Sequence, residues 1–156
     1  MQKIVKTGLG FIFKAEAIEE FSKALDDVYE KTQLDTHNGL PFNKNCLESY
    51  LSNPKIFKNF FAYGFMNHDN KVTAGIIWQK GFDYTTKSKT LAAVLWVSEE
   101  KKASLSLFKK SLEHIESIYK YDVLICGNSF DNEKLEKFYK RLNFKKLNIF
   151  YKNINQ

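Results

Sequence analysis

The chain has 156 residues, 44% of them hydrophobic and 15% aromatic, which suits one domain, 1–156, with a real core and excludes a disordered chain. Its formal net charge is +6, yet Arg141 is the only arginine, so sequence-specific DNA reading, which relies on the Arg fork, is a poor fit. Lysine-rich composition has two readings, an AT-rich genome that writes Lys for Arg, or attraction to an anionic ligand such as a nucleotide cofactor or RNA.

The first stretch, "MQKIVKTGLGFIFKAEAIEEF", lacks a long apolar core and a small-residue cleavage site, so no signal peptide is expected. Lys14 to Leu34 reads as a helix, with Ile18, Phe21, Leu25 and Val28 as its apolar stripe. A turn-rich loop, "DTHNGLPFN", leads to a short helix, "KNCLESYL", which "SNP" ends. "NFFAYGFMN" and "KVTAGIIWQKGF" then flank "HDN" as a hairpin. A third strand, "KTLAAVLWVS", follows the polar turn "DYTTKSK".

Helical period returns in "ASLSLFKKSLEHIESIY", where Leu105, Phe108, Leu112, Ile115 and Tyr119 share a face. "YDVLICG" is continuously apolar, as a central strand would be. "NEKLEKFYKRLNFKK" is a last helix, and "KKLNIFYKNI" a closing strand. The order α-α-β-β-β-α-β-α-β gives an α/β (α+β) fold, one mixed sheet with helices on both faces. No apolar run approaches the roughly 20 residues needed to cross a bilayer, so no membrane contact is expected. Cys46 and Cys126 are far apart; neither a disulfide framework nor a metal site is expected, and a reducing cytoplasm fits.

Chemistry has two candidate places. The first is "VSEEKKASLSLF", where a strand ends at Val97 and a helix begins near Ser104. Open amides at a helix N-terminus suit a phosphate, Ala103, Ser104 and Ser106 are small, and Lys101 and Lys102 add charge. The plain alternative is a loop with a serine cap and solvated lysines. In the second, Leu135, Phe138 and Leu142 recur at helical spacing and should face the core, with Tyr139 at the stripe's edge. Tyr139 is either a packed ring with a wet hydroxyl or a phenol held in position.

Taken together and in this order, the two stretches resemble the Gcn5-related N-acetyltransferase (GNAT) superfamily. Its pattern Arg/Gln-x-x-Gly-x-Gly/Ala, after a strand ending in Val, falls on Lys101, Ser104 and Ser106 after Val97. Its later pattern Asn-x-x-Ala-x-x-Phe-Tyr-x-x-x-Gly-Phe falls on Asn132, Leu135, Phe138, Tyr139, Asn143 and Phe144. Leu40-Pro41-Phe42 and Trp96-Val97 also look like segments of phage and bacterial acetyltransferase-like proteins. Asn143 stands at the usual Gly place, and Asn tolerates the left-handed backbone needed there.

The resemblance implies a GNAT-like, mostly antiparallel twisted sheet, with acetyl-CoA as co-substrate and an amine on a small molecule or protein as acceptor. It implies that "LAAVLWV" and "YDVLICG" splay apart around the pantetheine arm, with backbone near Trp96 and Val97 meeting it. Lys101, Lys102, Ala103, Ser104, Leu105 and Ser106 would meet the phosphates, Asn132 would sit beside the arm, and Tyr139 would protonate the leaving thiolate. Glu99, Asp83, His37 and His68 could act as a base but read first as surface residues, and His114 falls on the outer helix, away from this site. A binding protein that has lost catalysis, phage-encoded and aimed at a host protein, is the alternative. Acetylation of charged tRNA is a weaker third reading, nucleic acid is not an expected partner, and a homodimer stays open.

Overall fold

The computed structural model describes residues 1–32, 36–37, 40–127 and 133–146, with the side chains at 36, 37, 40 and 41 left aside. The chain divides into two compact units: Met1–Leu34 with Asn43–Cys126, and Asp35–Phe42 with Gly127–Gln156.

The first unit is built on a six-stranded sheet. In chain order it contains β1 (Gln2–Thr7), β2 (Gly10–Ala15), α1 (Ile18–Ala24) and α2 (Asp26–Thr32). In the other unit β3 (Thr36–His37) pairs with β4 (Leu40–Pro41). The first unit resumes with α3 (Lys44–Leu51), α4 (Pro54–Phe57), β5 (Phe60–Asn67), β6 (Val72–Asp83), β7 (Ser88–Ser98), α5 (Lys101–Ile118) and β8 (Val123–Cys126). The spatial order is β1-β2-β5-β6-β7-β8, antiparallel except for the parallel pair β7/β8.

The N-terminal hairpin β1/β2 is an addition to the expected order. Gly10 closes it at φ 154, and a Cβ there would overlap the Met66 carbonyl of the neighbouring strand. The long helix expected from Lys14 begins later and is broken once. Lys14 and Ala15 finish β2, and Leu25 leaves the helical backbone at φ −104, ψ 5 before α2 starts. The stripe survives this break, because Ile18, Phe21, Leu25 and Val28 are all fully buried. A one-residue interruption keeps the 3.6-residue phase, so periodicity alone cannot see it. "SNP" ends α3 but also starts α4, with Asn53 accepting from the Lys55 amide and Pro54 in the first turn.

The β5/β6 hairpin forms as read, with Asn70 at φ 59 in the turn. Gly64 and Gly75 face each other across it. A Cβ at Gly64 would overlap the Phe13 ring, and one at Gly75 would overlap Leu25. Aromatic and aliphatic side chains on the α1 side therefore rest on bare backbone. On the α5 side, Trp78 packs on Phe108 at 5.3 Å. The buried face of α5 is Ala103, Leu107, Phe108, Ser111 and Ile115. This is turned from the expected face, leaving Leu105, Leu112 and Tyr119 half-buried. Small residues sit inward where the sheet supplies Trp78 and Trp96 to fill the layer.

Among the described residues β8 has one neighbour, β7. The closing strand read in "KKLNIFYKNI" falls largely outside the described residues. In the second unit, α6 (Glu133–Arg141) matches the last expected helix, but with a different inner residue. Tyr139 is 8% exposed, whereas Leu142 is 37% exposed and Leu135 and Phe138 are half-buried. Adjacent helix positions lie only about 100° apart, so the stripe left 138 and 139 hard to rank. The helix ends as expected at Asn143, which has φ 62. Amides of Asn143 and Phe144 return to the Lys140 and Tyr139 carbonyls.

Candidate functional site

The site in the first unit begins with a change in pairing along β7. On its inner edge β7 pairs with β6 from Ser88 to Ser98. That ladder slips once, between Ile77↔Leu95 and Trp78↔Ala93, making Val94 an extra residue. On its outer edge β7 pairs with β8 only from Thr90 to Ala93. The outer ladder thus stops where the inner ladder bulges. From Val94 to Ser98 the outer edge has no strand beside it among the described residues. Such an edge offers amides and carbonyls to an extended ligand.

This open edge runs directly into the N-terminus of α5. Ser98 Oγ donates to the Glu100 carbonyl at 2.7 Å and accepts from the Glu100 amide at 3.0 Å, which tightens the turn. The Glu99 amide is tied to the Thr73 carbonyl at 2.9 Å. Glu100 is the N-cap, but its side chain makes no capping bond. The helix starts at Lys101, earlier than expected, so the Ser104 amide is already bonded to the Glu100 carbonyl at 2.9 Å. The amides of Lys101, Lys102 and Ala103 have no acceptor among the described residues. They form the positive end of an 18-residue helix.

The expected residues fall along this path. Trp96 is half-buried with its ring 4.8 Å from Phe108, and Val97 is buried. Lys101 and Lys102 are exposed, Ala103 is fully buried, and Ser104, Leu105 and Ser106 are half-buried in the first two helical turns. Asn132 lies outside the described residues. In the second unit, the Tyr139 hydroxyl donates to the Gly127 carbonyl at 3.1 Å. Its ring lies 5.1 Å from Phe144 and 5.9 Å from Phe138.

No protein-family model and no curated protein matches the chain. Solved structures do resemble it. A probable acetyltransferase superposes with a TM-score of 0.65 at 12% identity, over 91% of this chain and 94% of the other. An aminoglycoside acetyltransferase from an uncultured soil metagenomic sample, in complex with sisomicin, gives 0.65 at 12% identity over 92% and 95%. A GNAT family acetyltransferase of Staphylococcus aureus gives 0.57 at 18% identity over 92% and 98%. The chain has the GNAT fold.

Side chains around this GNAT sheet that could act as a base have other contacts, although the buried Oε1 of Glu99 has no hydrogen-bond partner among the described residues. Glu99 Oε2 takes Lys71 at 3.1 Å and Lys31 at 3.4 Å. Asp83 caps the β6/β7 turn, and the hydroxyl and amide of Thr85 hold its carboxyl below the usual carboxylate range. His68 is exposed, with Nε2 3.1 Å from the Gly8 carbonyl. The His37 side chain lies outside the described residues. Among the described residues, no group of three His, Cys, Asp or Glu could hold a metal. No helix there is long and apolar enough to cross a membrane.

The sequence reading undervalued His114. Its Nδ1 lies 2.7 Å from the hydroxyl of Tyr63, which is fully buried in β5. Burial first, and Lys14 second, hold the imidazole below its ordinary pKa, so the neutral ring accepts the phenol's proton bond. Burial also pushes the Tyr63 phenol up, with Glu16 adding to the shift. One turn earlier on α5, Ser111 Oγ accepts from Trp78 Nε1 at 3.0 Å. The signal for both was available: buried aromatics with polar tips need partners, and Ser111 and His114 are spaced to face the sheet.

Proposed function

We propose that this chain is an acetyl-CoA-dependent N-acetyltransferase that acts in the cytoplasm on an amine of a small molecule or a protein. The observation that carries the reading is the outer edge of β7, with no strand beside Val94 to Ser98 among the described residues, leading to amides of Lys101, Lys102 and Ala103 that have no acceptor there. An edge of that kind fits an extended arm bearing amides, and a positive helix terminus fits a pyrophosphate. Bound acetyl-CoA supplies the activated acyl group. The chain supplies its positioning: β7 backbone pairs with the arm, and the resemblance assigns Asn132 a role beside it. Lys101 and Lys102 add charge at the phosphates, where Ser104 and Ser106 offer hydroxyls in place of glycine.

An uncharged acceptor amine attacks the thioester carbonyl, and its proton leaves through water, because Glu99 and Asp83 are committed elsewhere. Amides at the β7 bulge stabilise the oxyanion. Tyr139 gives its proton to the departing sulfur; a phenol with a pKa of about 10 holds that proton at neutral pH. The Gly127 carbonyl fixes the hydroxyl's direction until then. Calorimetry with CoA, followed by a thiol-release assay over a panel of amines, tests the reading. Binding with turnover is expected; no heat at millimolar CoA overturns it.

One feature favours a second reading, a phage-encoded binding protein without turnover. The Ser104 amide is used inside the helix, so the phosphate end has fewer open donors than the motif suggested. CoA binding without release of thiol for any amine would support that alternative.

A further inference from the structure

The sheet carries another cavity, of about 310 Å³. It lies where β2 ends and β5 begins, and the registers set Phe60 and Phe61 level with Ala92 and Ala93 of β7, two strands away. Lys14, Lys58, Phe57, Phe60 and Phe61 line it, with Glu16 as the acidic residue of the lining. A third lysine leans over the same wall: Lys80 Nζ is 5.0 Å from the Phe61 ring centroid and 5.8 Å from that of Tyr119.

We propose that this cavity binds a small amphipathic carboxylate, with a flat apolar body against Phe57, Phe60 and Phe61 and its charge among Lys14, Lys58 and Lys80. Charge is the first argument. None of the three lysines, nor Glu16, has an ion pair among the described residues. Three ammonium groups therefore stand against one carboxylate. Their mutual repulsion is felt at Lys80, whose pKa is pushed down by burial first and by Lys14 and Lys58 next. An anion placed among them relieves that repulsion.

The walls supply the second argument. Phe61 is buried, and buried Ile18 and Leu51 are part of the same lining. A phosphate dianion loses too much hydration against phenyl walls, whereas a monoanionic carboxylate at the rim keeps part of its own. A volume of about 310 Å³ is at the small end for ligand sites and suits one ring with a short acid chain. None of this depends on acetyl-CoA, because no residue of the lining belongs to the β7 edge or to the start of α5.

The test titrates phenylacetate, phenylacetamide and inorganic phosphate onto the full chain without CoA, followed by NMR of lysine Cε and phenylalanine ring signals. Phenylacetate should shift Phe61 and Lys80 together and bind about tenfold tighter than the amide. Lys58→Gln, on the surface, and Lys80→Met, which keeps the stem over Phe61, should each weaken phenylacetate about threefold or more. Equal binding of the amide, phosphate competing as well as phenylacetate, or unchanged affinity in the Lys58 variant would each overturn the proposal.

Discussion

The centre of the sheet and the outer half of β7 are opposite solutions to the same backbone. At the centre, β5 and β6 are paired on both edges. Their glycines are covered by Phe13, Phe21 and Leu25, and their aromatic hydroxyl and indole groups reach His114 and Ser111. Among the described residues, β7 has no outer partner past Ala93, and the helix that follows opens with three amides that have no acceptor. The tyrosine hydroxyl and the indole at the centre are satisfied internally, and the amides at the start of α5 are left for a ligand to complete. The two regions should therefore respond differently to substitution: the centre through melting, the edge through binding.

Trp78→Ala should have the largest effect. It removes a fully buried indole and its bond to Ser111, costing roughly 3–5 kcal/mol of stability. Chemical denaturation measures the loss. At a temperature where the variant is folded, its CoA affinity should match the parent's. A variant of normal stability with weakened CoA binding would break the division between centre and edge.

Tyr139→Phe should come next, through turnover. The ring and its packing on Phe144 remain, and only the proton donor and its bond to Gly127 are lost. A fall of about 100-fold in kcat with KM little changed is the expected pattern for a general acid. The loss of one hydrogen bond should cost only about 1 kcal/mol of stability. If kcat stays within about twofold of the parent, the phenol is a packing group and nothing more.

These contrasts also explain what the sequence could and could not reveal. Side-chain patterns were legible: the stripe of Ile18, Phe21, Leu25 and Val28 is buried throughout, and the β5/β6 hairpin runs as read. Asn143 takes the left-handed backbone that its place required. The open edge was hidden, because the end of a strand ladder at Ala93 leaves no mark on residue identity. Motif letters at 101–106 were weak for the same reason, since an amide binds phosphate whether its residue is Gly or Lys. Tertiary context decided the rest. Tyr139 went inside and Leu142 outside on α6, and His114 found Tyr63 across the sheet. The hairpin β1/β2 leaves only a short mark, "TGLG" between two short β-type runs.

The edge itself is sharpened by Lys101→Ala with Lys102→Ala. Both side chains are exposed, so the melting temperature should stay put. CoA affinity should fall about tenfold, or about 1.4 kcal/mol, and the salt dependence of binding should become shallower. CoA and pantetheine, which carries no phosphate, titrated side by side show whether the lysines meet phosphate at all. Loss of stability without loss of affinity would place these lysines with the centre instead.

The smallest effect comes from His114 and appears as a pH dependence of stability. Burial and Lys14 hold the folded imidazole below the unfolded value of 6.5. Above that value neither state is protonated, and nothing is lost. Below it, the unfolded chain takes up a proton that the folded ring refuses, so folding weakens as pH falls toward the depressed value. The slope cannot exceed about 1.4 kcal/mol per pH unit, and the ring's partial exposure keeps it well under that ceiling. Glu20 and Glu136, held below their ordinary 4.5, weaken folding in the same direction, chiefly below that value. Melting curves between pH 7 and pH 5 should therefore slide downward for the parent. His114→Gln, whose amide oxygen can still accept from Tyr63, should flatten that slide while His37 and His68 remain as internal controls. An unchanged slope in the variant would mean that the Tyr63–His114 bond tolerates a charged ring, and that the centre is less closed to protons than its geometry indicates.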